Sequence, residues 1–188
     1  WIANALEDTM LNGSGINPDP YVTQYCAPPS ALPYPQANII LPFPGDSNKY
    51  VLFHHGGSQA DPNSLPLISY YSVIDMTLDG GLGGVVQSQK NVVLIQDTLN
   101  IGFTACKHAN GRDWWVVIIK GKSNLIYKVL LTDQGVQTPV TQSLGVANVD
   151  RNTIQPGFSP DGKKFAYNYF IHLTNPTTVV ASFSAFQF

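Results

Sequence analysis

The chain has 188 residues, of which 44% are hydrophobic, 11% aromatic and 12% charged, with 10 Lys+Arg against 12 Asp+Glu and a net charge of −2. Disordered chains carry more charge and fewer aromatics, disulfide-stapled miniproteins carry more than the 2 Cys present here, and a membrane-spanning helix needs about 20 unbroken apolar residues, which occur nowhere in this chain. The basic residues stand singly or in pairs, leaving no cationic stripe for a phosphate backbone, so neither a nucleic-acid partner nor a membrane span is expected.

Glu7 is the only glutamate, and most aspartates sit beside Gly, Pro, Asn or Ser, as in Asn17-Pro18-Asp19-Pro20, Gly45-Asp46-Ser47-Asn48 and Ser159-Pro160-Asp161-Gly162. That is turn chemistry. With 14 Pro and 16 Gly dispersed along the chain, hardly any uninterrupted helical pattern fits, and the composition predicts an all-β fold. In chain order, residues 1–35 read as the end of an earlier repeat, running from Trp1 to the turn at Asn12-Gly13, followed by a Pro-rich loop from Pro18 to Pro35. The formal glycosylation sequon Asn12-Gly13-Ser14 is read as part of that turn.

Short runs rich in β-branched and aromatic residues then predict strands. Residues 36–98 hold Asn38–Phe43, Tyr50–His54, Ile68–Met76 and Val85–Ile95; residues 99–150 hold Gly102–Lys107, Trp114–Ile119, Leu125–Leu131 and Gln137–Val146; residues 151–188 hold Ile154–Ser159, Phe165–Phe170 and Val179–Phe188. Trp114–Ile119 is apolar throughout, as a strand covered on both faces of a stacked sheet would be.

Three segments share one grammar, a polar Gly-containing turn before a strand led by an aromatic: Tyr50, Trp114 and Phe165 are the leaders. A second marker, an apolar strand ending in an Asn/Asp-plus-Gly turn, recurs out of phase at Asn12-Gly13, Asp79-Gly80 and Asp133-Gln134-Gly135. Two interleaved markers imply a repeating unit of four antiparallel strands, the blade of a β-propeller. Roughly three blades fit into the single portion 1–188, short of the 4–8 that close a propeller, so the rest of the polypeptide or another chain is expected to complete it.

Tyr70–Gly83 followed by Asn91-Val92-Val93-Leu94, and the stretch Lys107-His108-Ala109-Asn110-Gly111-Arg112-Asp113-Trp114-Trp115-Val116-Val117, resemble a propeller region found in very large secreted proteins of the Bacteroidota. In that family the propeller precedes PKD domains and a type IX secretion sorting domain. Phe158-Ser159-Pro160-Asp161-Gly162-Lys163-Lys164 is similar to the strand-turn-strand signature of Tol-type and WD-type propellers. The resemblance implies export to the outer cell surface or medium, with no catalytic residues travelling with it. The chain opens at Trp1 without a basic and apolar leader, so a targeting segment is expected upstream.

Candidate chemistry is sparse. His54 and His55 are adjacent on a strand and point to opposite faces, so they cannot share one metal. His108 before the Asn110-Gly111 turn reads as a structural bridge to Asp113 or to a backbone group, as in WD-type blades, and His108, Asn110, Gly111, Asp113 and Trp114, with Ser159, Pro160, Asp161 and Gly162, are assigned to turn and blade structure. Asp46, Asp61, Asp79, Asp133 and Asp161 lack the spacing of a Ca²⁺ loop and are read as turn caps in preference to calcium ligands. No other cofactor or metal motif is present, the Gly-rich run Asp79–Gly84 precedes a strand where a phosphate loop needs a helix, and no serine sits in a nucleophile elbow. Cys26 and Cys106 form either one long-loop disulfide or two buried thiols. Tyr21, Tyr25 and Tyr34, on the long Pro-rich loop, are the first candidates for a ligand or partner surface.

The expectation is a non-enzymatic secreted or surface module that presents loop surface to a protein or glycan. The rivals are a carbohydrate-active hydrolase or lyase at the propeller channel, and one subunit of a multi-chain surface assembly.

Overall fold

The computed structural model of the chain describes residues 1–25, 36–57, 65–145, 155–172 and 179–187. The described residues are all-β apart from one short helix and two single turns of 3₁₀ helix, and every pair of strands among them is antiparallel.

Sheet 1 is built from β1 (Asn38–Pro42), β2 (Lys49–His55), β3 (Ile68–Asp75), β4 (Gly84–Val85) and β5 (Val92–Gln96). Sheet 2 repeats that plan with β6 (Leu99–Lys107), β7 (Trp114–Lys120), β8 (Leu125–Thr132), β9 (Gly135–Val136) and β10 (Val140–Ser143). Sheet 3 holds β11 (Gly157–Phe158), β12 (Lys164–His172) and β13 (Val179–Gln187). In the first two sheets the third strand pairs with the second along one side and with two further strands along the other. Its far end takes the two-residue β4 or β9, Ile74 opposite Val85 and Leu131 opposite Val136, and its near end takes β5 or β10.

That doubling splits the stretch Val85–Ile95, which the sequence presents as a single strand, into β4 and β5, and it narrows Gln137–Val146 to β10, with β9 lying just ahead of it. Between β4 and β5 a 3₁₀ turn at Gln87–Gln89 and a left-handed Asn91 (φ 53) break the extended run. Between β9 and β10 sits Pro139, which has no N–H to give to the ladder.

The sheets stack. Leu41, Val51, Phe53, Val73 and Ile95 of sheet 1 form one core with Leu99, Phe103, Val116, Ile118, Val129 and Leu131 of sheet 2. On the other face of sheet 2, Val117, Ile119, Ile126 and Leu144 pack against Phe165 and Tyr167 of sheet 3. The alternation of β7 therefore sends Val116 and Ile118 one way and Val117 and Ile119 the other, all fully buried, and each contributes about 1.5–3 kcal/mol of burial.

Residues 1–13 contain no strand. They form a looped hairpin held by the isolated bridge Ala3↔Thr9, and it attaches to sheet 1 through the bridge Leu11↔Gly84 and the bond from Val85 N to Leu11 O (2.8 Å). Met10 is buried there with Ile74 and Val85. Gly83 has to be glycine: φ is +86, and a Cβ would lie 2.9 Å from Met76 Sδ and 3.1 Å from Met10 Cε.

The Pro-rich stretch contains a helix, α1 (Pro20–Tyr25). Asp19 starts it by accepting the Val22 amide on Oδ1 (3.0 Å), and its Oδ2 accepts the Gly57 amide (3.1 Å) just past β2. Among the described residues no helix is long and apolar enough to cross a membrane.

Candidate functional site

Two turns at one end of the stack face each other across a cleft of about 420 Å³ lined by Phe43, Pro44, Asp46, Lys107, Arg112 and Trp114 among others. One wall is the β1–β2 turn. Gly45 takes φ +82, Asp46 Oδ1 accepts the Asn48 amide at 3.0 Å, and Asp46 Oδ2 pairs with Lys49 Nζ at 2.9 Å. The bond from Lys49 holds the Asp46 carboxyl below the usual carboxylate range, and the bond back to Asp46 raises the Lys49 ammonium.

The other wall is the β6–β7 turn. His108 N donates to Asp113 O at 2.9 Å and Gly111 N to His108 O at 2.9 Å, with Gly111 at φ +74. His108 Nδ1 accepts the Asn110 amide at 3.1 Å, and its ring tilts against Trp115 at 5.7 Å. Asn110 Oδ1 accepts the amides of Arg112 (3.1 Å) and Asp113 (3.0 Å), and its Nδ2 donates to Asp113 Oδ2 at 2.8 Å.

Asp113 is buried, and its main partner is Arg112, which reaches Oδ1 with Nε at 2.7 Å and Oδ2 with Nη2 at 3.3 Å. Arg112 also donates Nη1 to Asp133 Oδ2 at 2.7 Å on the β8–β9 turn. The Arg112 bonds, helped by Asn110, hold the Asp113 carboxyl below its ordinary value although burial opposes this. Lys107 lies over the Trp114 ring, 3.9 Å from its centroid, and donates to Arg112 O at 3.1 Å. The floor of the cleft is thus an aromatic already capped by a cation.

The structure places the residues singled out from the sequence as follows. His108, Asn110, Gly111, Asp113 and Trp114 come together in this turn. Ser159, Pro160, Asp161 and Gly162 form the β11–β12 turn, where Ser159 Oγ donates to Asp161 Oδ1 (2.6 Å) and accepts the Lys164 amide (2.9 Å). Gly162 (φ +69) lies close to Cys106, whose Cβ would be 3.6 Å from an added Cβ. Cys106 is a buried free thiol, and burial raises its pKa; Cys26, its suggested partner, lies outside the described residues.

Tyr21 packs across Gly57, where a Cβ would stand 2.2 Å from its Cδ1. Tyr25 ends α1, and Tyr34 lies outside the described residues, as does Asp61. Asp46 and Asp161 accept turn amides two residues on, and Asp133 serves Arg112. Among the described residues no three His, Cys, Asp or Glu side chains converge as a metal site would need.

His54 and His55 lie at the far end of β2 from the cleft, roughly 20 Å away along the strand. His54 contacts Asn17 Oδ1 through Nδ1 and Ser72 Oγ through Nε2 (3.1 Å), and stacks on Tyr70. Ser72 Oγ also accepts the Asn91 amide (2.9 Å), Asn91 Nδ2 donates to Gly15 O (2.8 Å), and Lys90 Nζ donates to Ser14 O (2.6 Å). These bonds latch the segment Ser14–Asn17 onto sheet 1. His55 faces the opposite way, stacked on Phe103 with centroids 4.0 Å apart, and neither ring nitrogen has a partner among the described residues. Burial lowers the His54 pKa to about 4 and that of His55, with the neighbouring His54, to about 3.

Arg112, Lys107 and Phe43 were not singled out from the sequence as site residues. Arg112 had a local signal, as the one charged residue inside the Asn110–Asp113 turn apart from Asp113 itself. Asp133, read as a turn cap, carried no signal for its bond to Arg112, which reaches it across 21 residues. A second polar group, Asp97 with Tyr127 Oη (2.5 Å) and Lys120 Nζ (2.6 Å), ties the β5–β6 connection to β7 and β8 at the other end of sheet 2. Burial and then the Asp97 carboxylate push the Tyr127 pKa up to about 12.

No family model matches the chain, and comparison with curated proteins and with solved structures finds no match either.

Proposed function

We propose that this chain is a portion of a β-propeller, non-enzymatic and displayed outside the cell, whose turn-end cleft binds an extended segment of a partner protein. The stacking of similarly built antiparallel sheets supports the propeller reading, and the export rests on the sequence resemblance alone.

The observation that carries the binding reading is the balance of hydrogen-bonding groups in the cleft. Asp46, Asp113 and Asp133 are each engaged by Lys49 or Arg112. Lys107 spends one donor on Arg112 O, and the guanidinium spends three of five on Asp113 and Asp133. The groups left over are donors, beside Phe43 and Pro44, and they suit the carbonyls of an extended peptide. Carboxylates held ionised by their cations are poor general acids, which favours recognition over turnover. The ammonium lying on Trp114 covers the ring face that a sugar would stack on, which favours a protein ligand over a glycan.

The test is to screen the chain against peptide and glycan arrays and repeat the positives with Lys107→Met, which keeps the aliphatic bulk and removes the charge. Peptide binding weakened roughly tenfold by the substitution supports the reading. Glycan binding, peptide binding indifferent to Lys107, or turnover of any arrayed compound overturns it.

A further inference from the structure

The three aromatic strand leaders share a direction. Trp114, opposite Leu131, and Val116, opposite Val129, turn toward sheet 1; Phe165 and Tyr167 turn toward sheet 2. Each of these faces is covered by the sheet that precedes it in the chain. The equivalent face of sheet 1 carries Tyr50 opposite Ile74 and Leu52 opposite Ser72, and among the described residues it meets no other sheet, only the N-terminal hairpin and the segment Ser14–Asn17 latched through His54.

Exposed apolar side chains gather on this side. Ile40 (54% exposed) is paired with Leu52 and Val93 (51%) with Tyr70, so both project from that face, while Trp1 (68%), Leu6 (64%) and Leu11 (44%) belong to the hairpin lying on it. Elsewhere among the described residues the exposed large apolar side chains reduce to Val140. Such clustering marks an interaction surface.

We propose that this face receives a second copy of the same chain, the outward side of its sheet 3 stacking on sheet 1 and its hairpin. Two features select that occupant. The equivalent faces of sheets 2 and 3 are both covered by β-sheets of this chain, so the stacking geometry is one the sequence already satisfies twice. Charge fits as well. The hairpin carries Glu7-Asp8, the only adjacent acidic pair in the sequence, and the sheet 3 turn carries Lys163-Lys164, the only adjacent basic pair, all four exposed. Lys164 directly precedes the inward-facing Phe165, which puts it on the outward side of its strand. A contact of the apolar face with itself would bring Glu7-Asp8 against its own copy, so the association is head-to-tail and either closes a ring or extends.

Sedimentation of the chain over a concentration series tests this, together with three variants. The wild type is expected to associate with rising concentration, and Ile40→Lys/Val93→Lys to stay monomeric with an unchanged far-UV spectrum. Lys163→Glu/Lys164→Glu should weaken association roughly tenfold, and adding Glu7→Lys/Asp8→Lys to that variant should restore it. The charge swap keeps the test valid even if the apolar variant unfolds. A wild type that is monomeric at every concentration, or association indifferent to both the apolar and the charge substitutions, overturns the proposal.

Discussion

His54 and His55 show how far one position along a strand changes a side chain's circumstances. Both are buried, but His54 has partners on the N-terminal segment and on β3, whereas His55, stacked on Phe103 between sheets, has no partner for either ring nitrogen among the described residues. Free imidazole titrates near 6.5, and the folded values lie at about 4 and about 3. Between those limits the unfolded chain takes up protons that the folded chain refuses. Stability is therefore full above pH 6.5 and falls as the pH drops, by up to about 1.4 kcal/mol per pH unit for each histidine, levelling off near pH 4 for His54 and pH 3 for His55. Replacing His55 by Phe removes the buried unpartnered nitrogens and keeps a ring against Phe103, so His55→Phe should flatten this acid slope and leave the fold at least as stable at neutral pH. Urea unfolding at a series of pH values measures both effects. A variant with the wild-type slope between pH 6.5 and 4 would show that His55 is protonated in the folded protein as readily as in the unfolded one.

Helix α1 is held at its junction with β2 by fit more than by area. Asp19 closes its first turn and holds Gly57, and Tyr21 occupies the space a side chain at 57 would need. Gly57→Ala puts a methyl 2.2 Å from Tyr21 Cδ1, so the ring must leave or the helix must move. The expected cost is about 1–3 kcal/mol, with faster proteolysis of residues 18–25. A thermal midpoint and cleavage rate equal to those of the wild type would mean that α1 is not docked through this contact.

This is also an element that could not be read in the sequence. Six Pro residues between 18 and 35 outweigh a six-residue helix in any local count, and the docking of the Asp19-capped first turn on Gly57 depends on a contact 38 residues away. The sheets were more legible, because strand alternation and turn residues are local: the all-β class, and Trp114–Ile119 as a strand buried on both faces, follow from the order of residues alone. The cleft was half legible. The turn Lys107–Asp113 announces itself through Asn110-Gly111, but its pairing with Asp133 and its placement opposite Phe43–Ser47 depend on how two sheets stack, which no spacing records.

Across the whole molecule, sheet 2 is the centre and β7 is the centre of sheet 2. It is the strand paired along its length on both sides, to β6 and β8, with Val116 and Ile118 packed on sheet 1 and Val117 and Ile119 near sheet 3. Opening it requires both cores to separate, so the amides of Val116–Ile119 should exchange with solvent only through global unfolding, while those of Val140–Ser143, on an edge strand with exposed side chains, should exchange through local opening. Native-state hydrogen exchange resolves the two. Equal protection of β7 and β10 would mean that the sheets unfold as one unit with no internal gradient. The same gradient bears on the cleft, because Trp114, its floor, is the first residue of β7, while the groups that would meet a ligand, Lys107 and Arg112, belong to the end of β6 and the turn before it. Peptide binding at the cleft should accordingly slow exchange in the turns at 43–48 and 108–113 and in β7 as well, because a ligand held only by the folded chain raises the free energy of the global unfolding through which β7 exchanges, by RT ln(1 + [L]/Kd).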